Sequence, residues 1–155
     1  MTEHLIGVIS DTHGLLRPQA VQALEGVELI IHAGDIGAPK ILRALERIAP
    51  VYAVRGNTDR GGWAADLPRN RVVEVGGRLI YVLHELFTLD LDPAAAGLAA
   101  VIYGHSHRPH LEHQNGVLYL NPGSAGPRRF TLPVTLARIK LQDISLHPEL
   151  VELKV

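Results

Sequence analysis

Short runs rich in Val, Ile and Leu recur along the chain, and each gives way abruptly to a polar cluster. The clusters are Asp11-Thr12-His13, Gly34-Asp35, Gly56-Asn57-Thr58-Asp59 and Gly104-His105-Ser106-His107. Runs of this kind read as buried strands, so each cluster marks where a strand ends and its loop begins. Open α/β sheets bind ligands at the carboxyl ends of their strands. Four such ends carrying Asp, His, Asn and paired His predict one metal centre built from the whole length of the chain.

Strands are expected over residues 5–9, 29–31 and 51–54. Helices between them open at Pro18 and Pro39, because proline suits the first helical turn. The first helix runs to about Leu24, with Gly26 as terminator. In the second, Ile41, Leu42, Leu45 and Ile48 recur at helical spacing, and Pro50 closes it. This alternation predicts parallel pairing. Beyond it the pattern changes. Strands over 71–75 and 78–83 flank Gly76-Gly77, a hairpin signal, and the second delivers His84. A short helix over 94–98 leads to a strand over 99–103, which ends at the Gly104 cluster. Asn115-Gly116 turns between strands over 110–113 and 117–120. Asn121-Pro122-Gly123-Ser124 is a tight loop, and strands over 134–141 and 144–153, paired through Gln142-Asp143, close the chain. Ten strands are too many for one small open sheet. Two packed sheets with helices outside, an α/β fold, are expected in a single domain over 1–155. The loop from Asn57 to Asn70 is the longest without periodicity.

Composition narrows the function. The chain has 155 residues, 46% hydrophobic, enough for a real core, and a formal net charge of -1. No global basic field points to nucleic acid, and no groove for a polymer is indicated. No apolar run approaches the roughly 18 residues of a membrane span. Met1-Thr2-Glu3-His4 has no basic n-region, so a cytoplasmic protein is expected. The absence of cysteine excludes disulfides, thiolate metal sites and a Cys nucleophile.

The clusters suggest chemistry through donor type. If the backbone stays extended at Asp11 and His13, both side chains point the same way and reach one cation. His105 and His107 repeat the spacing with two imidazoles. Asp35 and Asn57 each follow a glycine, which permits a sharp turn. A carboxylate has two oxygens, so Asp35 can bridge two cations. Asp11, His13, Asp35, Asn57, His84, His105 and His107 are too many ligands for one first-row ion and suit two ions that share Asp35. An all-oxygen and nitrogen set fits Mn²⁺ first, with Fe²⁺, Zn²⁺, Ni²⁺ or Co²⁺ also suited. Two divalent ions, two carboxylates and a hydroxide sum to about plus one, which favours an anionic substrate such as a phosphoester. His4, His110, His113 and His147 belong to no such pattern, and His32 reads as structural.

The order Asp-x-His, Gly-Asp, Gly-Asn-x-Asp, His, Gly-His-x-His and Asn-Pro-Gly-Ser resembles the calcineurin-like metallophosphoesterase superfamily. Within it, the chain is similar to the small single-domain phosphodiesterases of the YfcE type, from about Ile6 to the final strands. The resemblance implies a four-layer αββα sandwich of two mixed sheets with a dinuclear site at one edge. It implies one ion held by Asp11, His13, Asp35 and His107, and another by Asp35, Asn57, His84 and His105. Asp35, Asn57 and Asp59 would form the catalytic set, with Asp59 supporting the ligands from behind. The activity implied is phosphodiester hydrolysis by a hydroxide bridging two divalent ions.

Two positions depart from the family pattern. Thr58 stands where many members have a His that serves as a candidate general acid. Glu85 follows His84 where Gly is usual. Thr58, Arg17, Arg108, Arg128 and Arg129 lie in or near the motif loops and are candidates for gripping a small phosphoester, with solvated surface charge as the alternative for each arginine. The alternative function is a non-catalytic protein-binding scaffold, like the retromer's scaffold subunit, which resembles the same fold. A homo-oligomer stays open.

Overall fold

The computed structural model describes residues 2–155. Two five-stranded sheets pack face to face. The first is ordered β10-β9-β1-β2-β3, with β1 Glu3–Ile9, β2 Leu29–His32, β3 Val51–Ala53, β9 Thr135–Gln142 and β10 Ser145–Glu152. The second is ordered β4-β5-β6-β8-β7, with β4 Asn70–Val75, β5 Arg78–Leu83, β6 Ala100–Ile102, β7 His110–Gln114 and β8 Val117–Asn121. All ten expected strands are present, and the last hairpin turns at Asp143 and Ile144.

Each sheet has the same plan. A parallel trio, β1-β2-β3 in one and β5-β6-β8 in the other, is edged by antiparallel strands. Within a parallel trio every carboxyl end lies at one edge of the sheet. The polar clusters follow those strands, so the topology gathers them.

Period-two alternation sorts the side chains between layers. Ile6 and Val8 of β1, Leu29 and Ile31 of β2, Ile80 and Val82 of β5, and Leu118 and Leu120 of β8 meet between the sheets. Ile9, Ile30 and Leu136 face outward from the first sheet and pack against α1 Pro18–Ala23 and α2 Pro39–Glu46. Both helices carry proline in the first turn, as expected. Gly7 brings α1 close, since a Cβ there would lie 2.5 Å from Leu24 Cδ2.

The outer layer of the second sheet is thinner. Tyr81, Leu83, Val101, Tyr103 and Val117 are covered by Leu86, Leu89 and Leu98. The covering segment holds one 3₁₀ turn, Leu86–Thr88. The helix expected over 94–98 is instead a run of turns. Gly97 has φ 75°, and Leu98 N–H reaches the Pro93 carbonyl at 3.0 Å, a closure that ends a helix before its second turn. Conversely, the loop from Asn57 to Asn70 contains a helix, α3 Gly62–Ala65, too short for periodicity to reveal.

The inter-sheet cluster should carry much of the stability. Ile31 is fully buried there. Ile31→Ala is expected to lower the unfolding free energy by about 2–5 kcal/mol, as read from the midpoint of urea denaturation.

Candidate metal centre

Three loops of the first sheet reach the shared edge. Backbone pairing continues past the strands: Asp11 N–H reaches the Gly34 carbonyl at 3.0 Å, His13 N–H that of Asp35 at 2.9 Å and Gly14 N–H that of Ile36 at 2.8 Å. The backbone is not extended there. Asp11, His13, Asp35, His105 and His107 all have positive φ, from 46° to 75°. Strand alternation therefore does not aim Asp11 and His13 together; left-handed turns do. Asp and His are among the residue types that tolerate this region, at a modest cost in strain. Clustered backbone strain of this kind is typical of functional sites.

Three ligand candidates, Asp11, Asp35 and His84, each have one end tied down and the other facing the gap. Asp11 Oδ2 accepts from the Ser10 hydroxyl at 2.8 Å and from His105 N–H at 3.1 Å. Its Oδ1 is buried with no hydrogen-bond partner. Asp35 Oδ1 accepts from Thr58 N–H at 2.9 Å, leaving Oδ2. His84 Nδ1–H donates to the Ala33 carbonyl at 2.7 Å, which fixes Nε2 as the lone-pair nitrogen. That Nε2 is buried, without a hydrogen bond, 3.2 Å from Asp35 Oδ2 and 3.9 Å from Asp11 Oδ1.

The free ends converge as two groups. Asp11, His13 and His107 place donor atoms within 4.8 Å of one another, and so do Asp35, His84 and His105. His107 Nε2 lies 3.4 Å from Asp11 Oδ1 and 3.3 Å from His13 Nε2. Asp35 Oδ2 lies between the groups, 3.7 Å from His13 Nε2 and 3.2 Å from His84 Nε2. Asn57 Oδ1 is 3.2 Å from His105 Nδ1. Buried donors without hydrogen-bond partners, facing one another, fit a cation better than they fit a packed core. Electrostatics agree. Burial alone would raise the Asp35 carboxyl, but the adjoining His84 imidazole and Thr58 N–H hold it below the usual carboxylate range. Burial would lower His84, but Asp35, Asp11 and the Ala33 carbonyl hold it above its ordinary value. The upward shift of His84 reports the negative charge of Asp11 and Asp35, and the downward shift of Asp35 keeps that carboxylate charged, which suits a cation.

A model of the calcineurin-like phosphoesterase superfamily domain matches residues 5–144. The chain belongs to the calcineurin-like phosphoesterase superfamily. A probable metallophosphoesterase of Methanothermobacter thermautotrophicus is 36% identical over 162 residues, covering 95% of this chain and 91% of that protein. A phosphodiesterase of Methanocaldococcus jannaschii is 31% identical over 137 residues, covering 76% of this chain and 82% of that protein. The fold is shared with Vps29 of Chaetomium thermophilum, with a TM-score of 0.84 and 24% identity over 97% of this chain and 89% of that one.

Against the superfamily pattern, Glu85 proves compatible with the backbone. Its φ of -112° and ψ of 108° are ordinary extended values, so glycine is not required after His84. Asp59 does not face the gap. Its carboxylate accepts from Gly56 N–H at 2.9 Å, Gly37 N–H at 3.0 Å and Ile36 N–H at 3.2 Å. These bonds tie the second loop to the third. Arg17 donates to the Gly126 carbonyl at 3.2 Å and Arg128 to that of Leu132 at 3.1 Å, while Arg108 and Arg129 are exposed.

Several motif residues, and Ser10 beside them, do work that motif reading did not show. A Cβ on Gly56 would lie 2.1 Å from Asp35 N, and one on Gly104 2.6 Å from Asp11 Oδ2, so Gly56 admits the Asp35 backbone and Gly104 the Ser10 and Asp11 side chains. Ser10 directly precedes Asp11. Asn121 Nδ2–H donates to the Gly104 carbonyl and to Ser106 Oγ, each at 3.1 Å, and Ser124 Oγ–H to the Asp11 carbonyl at 2.9 Å. The Asn-Pro-Gly-Ser loop thus braces two ligand loops from behind.

His32 is fully buried and structural, as expected. Its Nδ1 accepts from Gly34 N–H at 3.1 Å, and Nε2 lies 3.0 Å from Thr12 Oγ1, which donates to the Ile36 carbonyl. Burial, against the pull of Asp11 and Asp59, pushes it down from 6.5 to about 4. Below pH 6.5 the unfolded chain takes a proton that the folded chain refuses until about pH 4, so stability falls as pH falls through that window. The loss should be on the order of 3 kcal/mol. Denaturant melts of chelator-treated protein at pH 7.5 and pH 4.5 should show it, and His32→Asn should flatten the difference.

Proposed function

We propose that the chain is a dinuclear metal-dependent phosphodiesterase. The observation that carries this reading is the position of Asp35 Oδ2 between two donor groups, with the unpartnered Asp11 Oδ1 and His84 Nε2 beside it. Asp11, His13, His107 and Asp35 would hold one divalent cation, and Asp35, His84, His105 and Asn57 the other, Mn²⁺ being the first candidate. Such a pair, when bound, acts as a Lewis acid on phosphoryl oxygens and supplies a nucleophile from water at neutral pH. The chain's own part is positional. Thr58 N–H, His105 N–H and the Ala33 carbonyl hold the ligands, Asp59 holds the loops, and the exposed rim at Asn57 and Ser106 leaves the phosphate's approach open. The metallophosphoesterase and phosphodiesterase names of the relatives support the same class. The likeness to Vps29 concerns the fold alone and does not choose between enzyme and scaffold; the full donor set favours the enzyme.

Cation binding should be measurable directly. Metal analysis is expected to find two ions per chain, and Mn²⁺ at a hundred times its Kd should add about 2.7 kcal/mol of stability. Asp35→Ala should lose both ions and resist rescue by excess metal. Asn57→Ala should lose chiefly one and recover as Mn²⁺ is titrated. Equal metal content and equal activity in the two variants would remove the shared-ligand assignment.

Protonation of the leaving group is the second test. Thr58 carries no group acidic enough near neutral pH. Among the described residues, the imidazoles outside the cluster are His4 and His110, paired with Glu28 and Glu112, the buried His32, and His113 and His147 on other strands. A general acid contributes roughly 10²–10⁴-fold. kcat/KM should therefore fall steeply with leaving-group pKa, aryl diesters far outrunning alkyl ones, and Thr58→His should flatten the series. A flat series for the unaltered protein, with chemistry rate-limiting, would mean that another residue supplies the proton.

A further inference from the structure

A small polar cleft of about 180 Å³ opens beside the donor cluster, and His84 belongs to both. Its other walls are Arg55, Arg69, Asn70, Glu85, Thr88 and Asp90. Two cations and two carboxylates leave the cleft with no net charge. A second phosphate would therefore gain little there, whereas a neutral sugar, with a hydroxyl and a ring oxygen, would find donors and acceptors together. The 3₁₀ turn Leu86–Thr88 adjoins the cleft through Glu85 and Thr88. Thr88 N–H and Oγ–H both bond the Glu85 carbonyl, at 3.0 and 2.6 Å, while Leu86 and Leu89 pack onto the second sheet. The turn is thus anchored on its apolar side and presents Phe87 outward. Phe87 is 78% exposed, one of only two phenylalanines in the chain. Its ring centroid lies 6.4 Å from that of His105 at an interplanar angle of 68°. A rigidly held, solvent-facing aromatic against a residue of the donor cluster is a stacking platform at the edge of the site.

We propose that the cleft and Phe87 together form the subsite for one ester group of the substrate, and that this group has the chemistry of a nucleoside. Its sugar enters the neutral cleft beside His84, and its planar base stacks on Phe87. The assignment rests on the phosphodiesterase reading above and adds the substrate class. Stacking a base on an aromatic side chain is sequence-tolerant, so the subsite selects for a ring rather than for one base.

The test keeps the leaving group constant and varies the retained ester. Methyl, benzyl and thymidine-5′ 4-nitrophenyl phosphates are compared with the Mn²⁺-loaded protein. The thymidine ester is expected to exceed the methyl ester in kcat/KM by roughly tenfold or more, chiefly through KM, with benzyl between them. Phe87→Ala should collapse the thymidine-to-methyl ratio several-fold and Phe87→Trp should retain it. Phe130→Ala, which removes the other exposed phenylalanine, should leave the ratio alone. Calorimetry provides a readout without turnover: thymidine 5′-monophosphate should bind more tightly than methyl phosphate, and Phe87→Ala should shrink that gap. Measurable hydrolysis with equal kcat/KM for all three esters overturns the subsite and leaves the phosphodiesterase reading standing. A benzyl ester equal to the thymidine ester overturns the nucleoside assignment. Metal-independent inactivity toward every ester removes the phosphodiesterase reading, and the subsite with it.

Discussion

The site depends on a division of labour within three of its ligands, Asp11, Asp35 and His84. One polar atom is fastened to the backbone of a neighbouring loop, and the other is left in the gap. Asp11 gives Oδ2 to His105 N–H, Asp35 gives Oδ1 to Thr58 N–H, and His84 gives Nδ1–H to the Ala33 carbonyl. Two of these three bonds run between the sheets. Ligand orientation and loop packing are therefore one property. A side chain fixed this way loses little further freedom when it binds a cation, which is how preorganisation raises affinity.

That arrangement explains what was legible in the sequence and what was not. Strands were readable because runs such as Leu29–His32 are apolar, short and bounded by turn residues. The donor residues were readable because Asp, His and Asn at strand ends have few other reasons to recur in that order. The means of convergence was not. Asp11 and His13 come together through left-handed backbone rather than strand alternation, and φ leaves no mark in residue type when Asp and His adopt it. The work of Gly56 and Gly104 was equally hidden, since a glycine before a ligand reads as a turn whether or not a backbone or side chain from another loop lies against its Cα. The missing helix at 94–98 failed for a local reason, a left-handed Gly97, that sequence periodicity over five residues cannot weigh against alanine content.

Strain and unpartnered burial are concentrated at one edge, and the rest of the molecule is regular enough to hold them. Asp11 is fully buried with one oxygen unpartnered, while Ile6 and Val8, on the strand that delivers it, are equally buried in apolar contact. His32 and Thr12 form a buried polar pair behind the ligand loops in which the donors and acceptors are matched. Most of the inconsistency between local preference and fold thus gathers where chemistry would need it, with Arg71 Nε and the turns at Asn115, Phe130 and Asp143 as the exceptions elsewhere.

The distribution of ligands between sheets carries a last consequence. The first sheet supplies Asp11, His13, Asp35 and Asn57, and the second supplies His84, His105 and His107. Each donor group mixes the two: Asp11 and His13 with His107, and Asp35 with His84 and His105. A cation in either group would join the sheets, so binding and inter-sheet packing must reinforce each other at that edge. Yet the sandwich does not need that joint. The apolar cluster between the sheets is contiguous and draws on β1, β2, β4, β5, β6, β8 and β9. A chain of this fold can lose its donors and keep its shape, which is why resemblance in fold to Vps29 leaves function open. The donor set is the part of the molecule that packing alone would not maintain, because packed apolar residues would stabilise the same edge better than buried, unpaired carboxylate and imidazole groups.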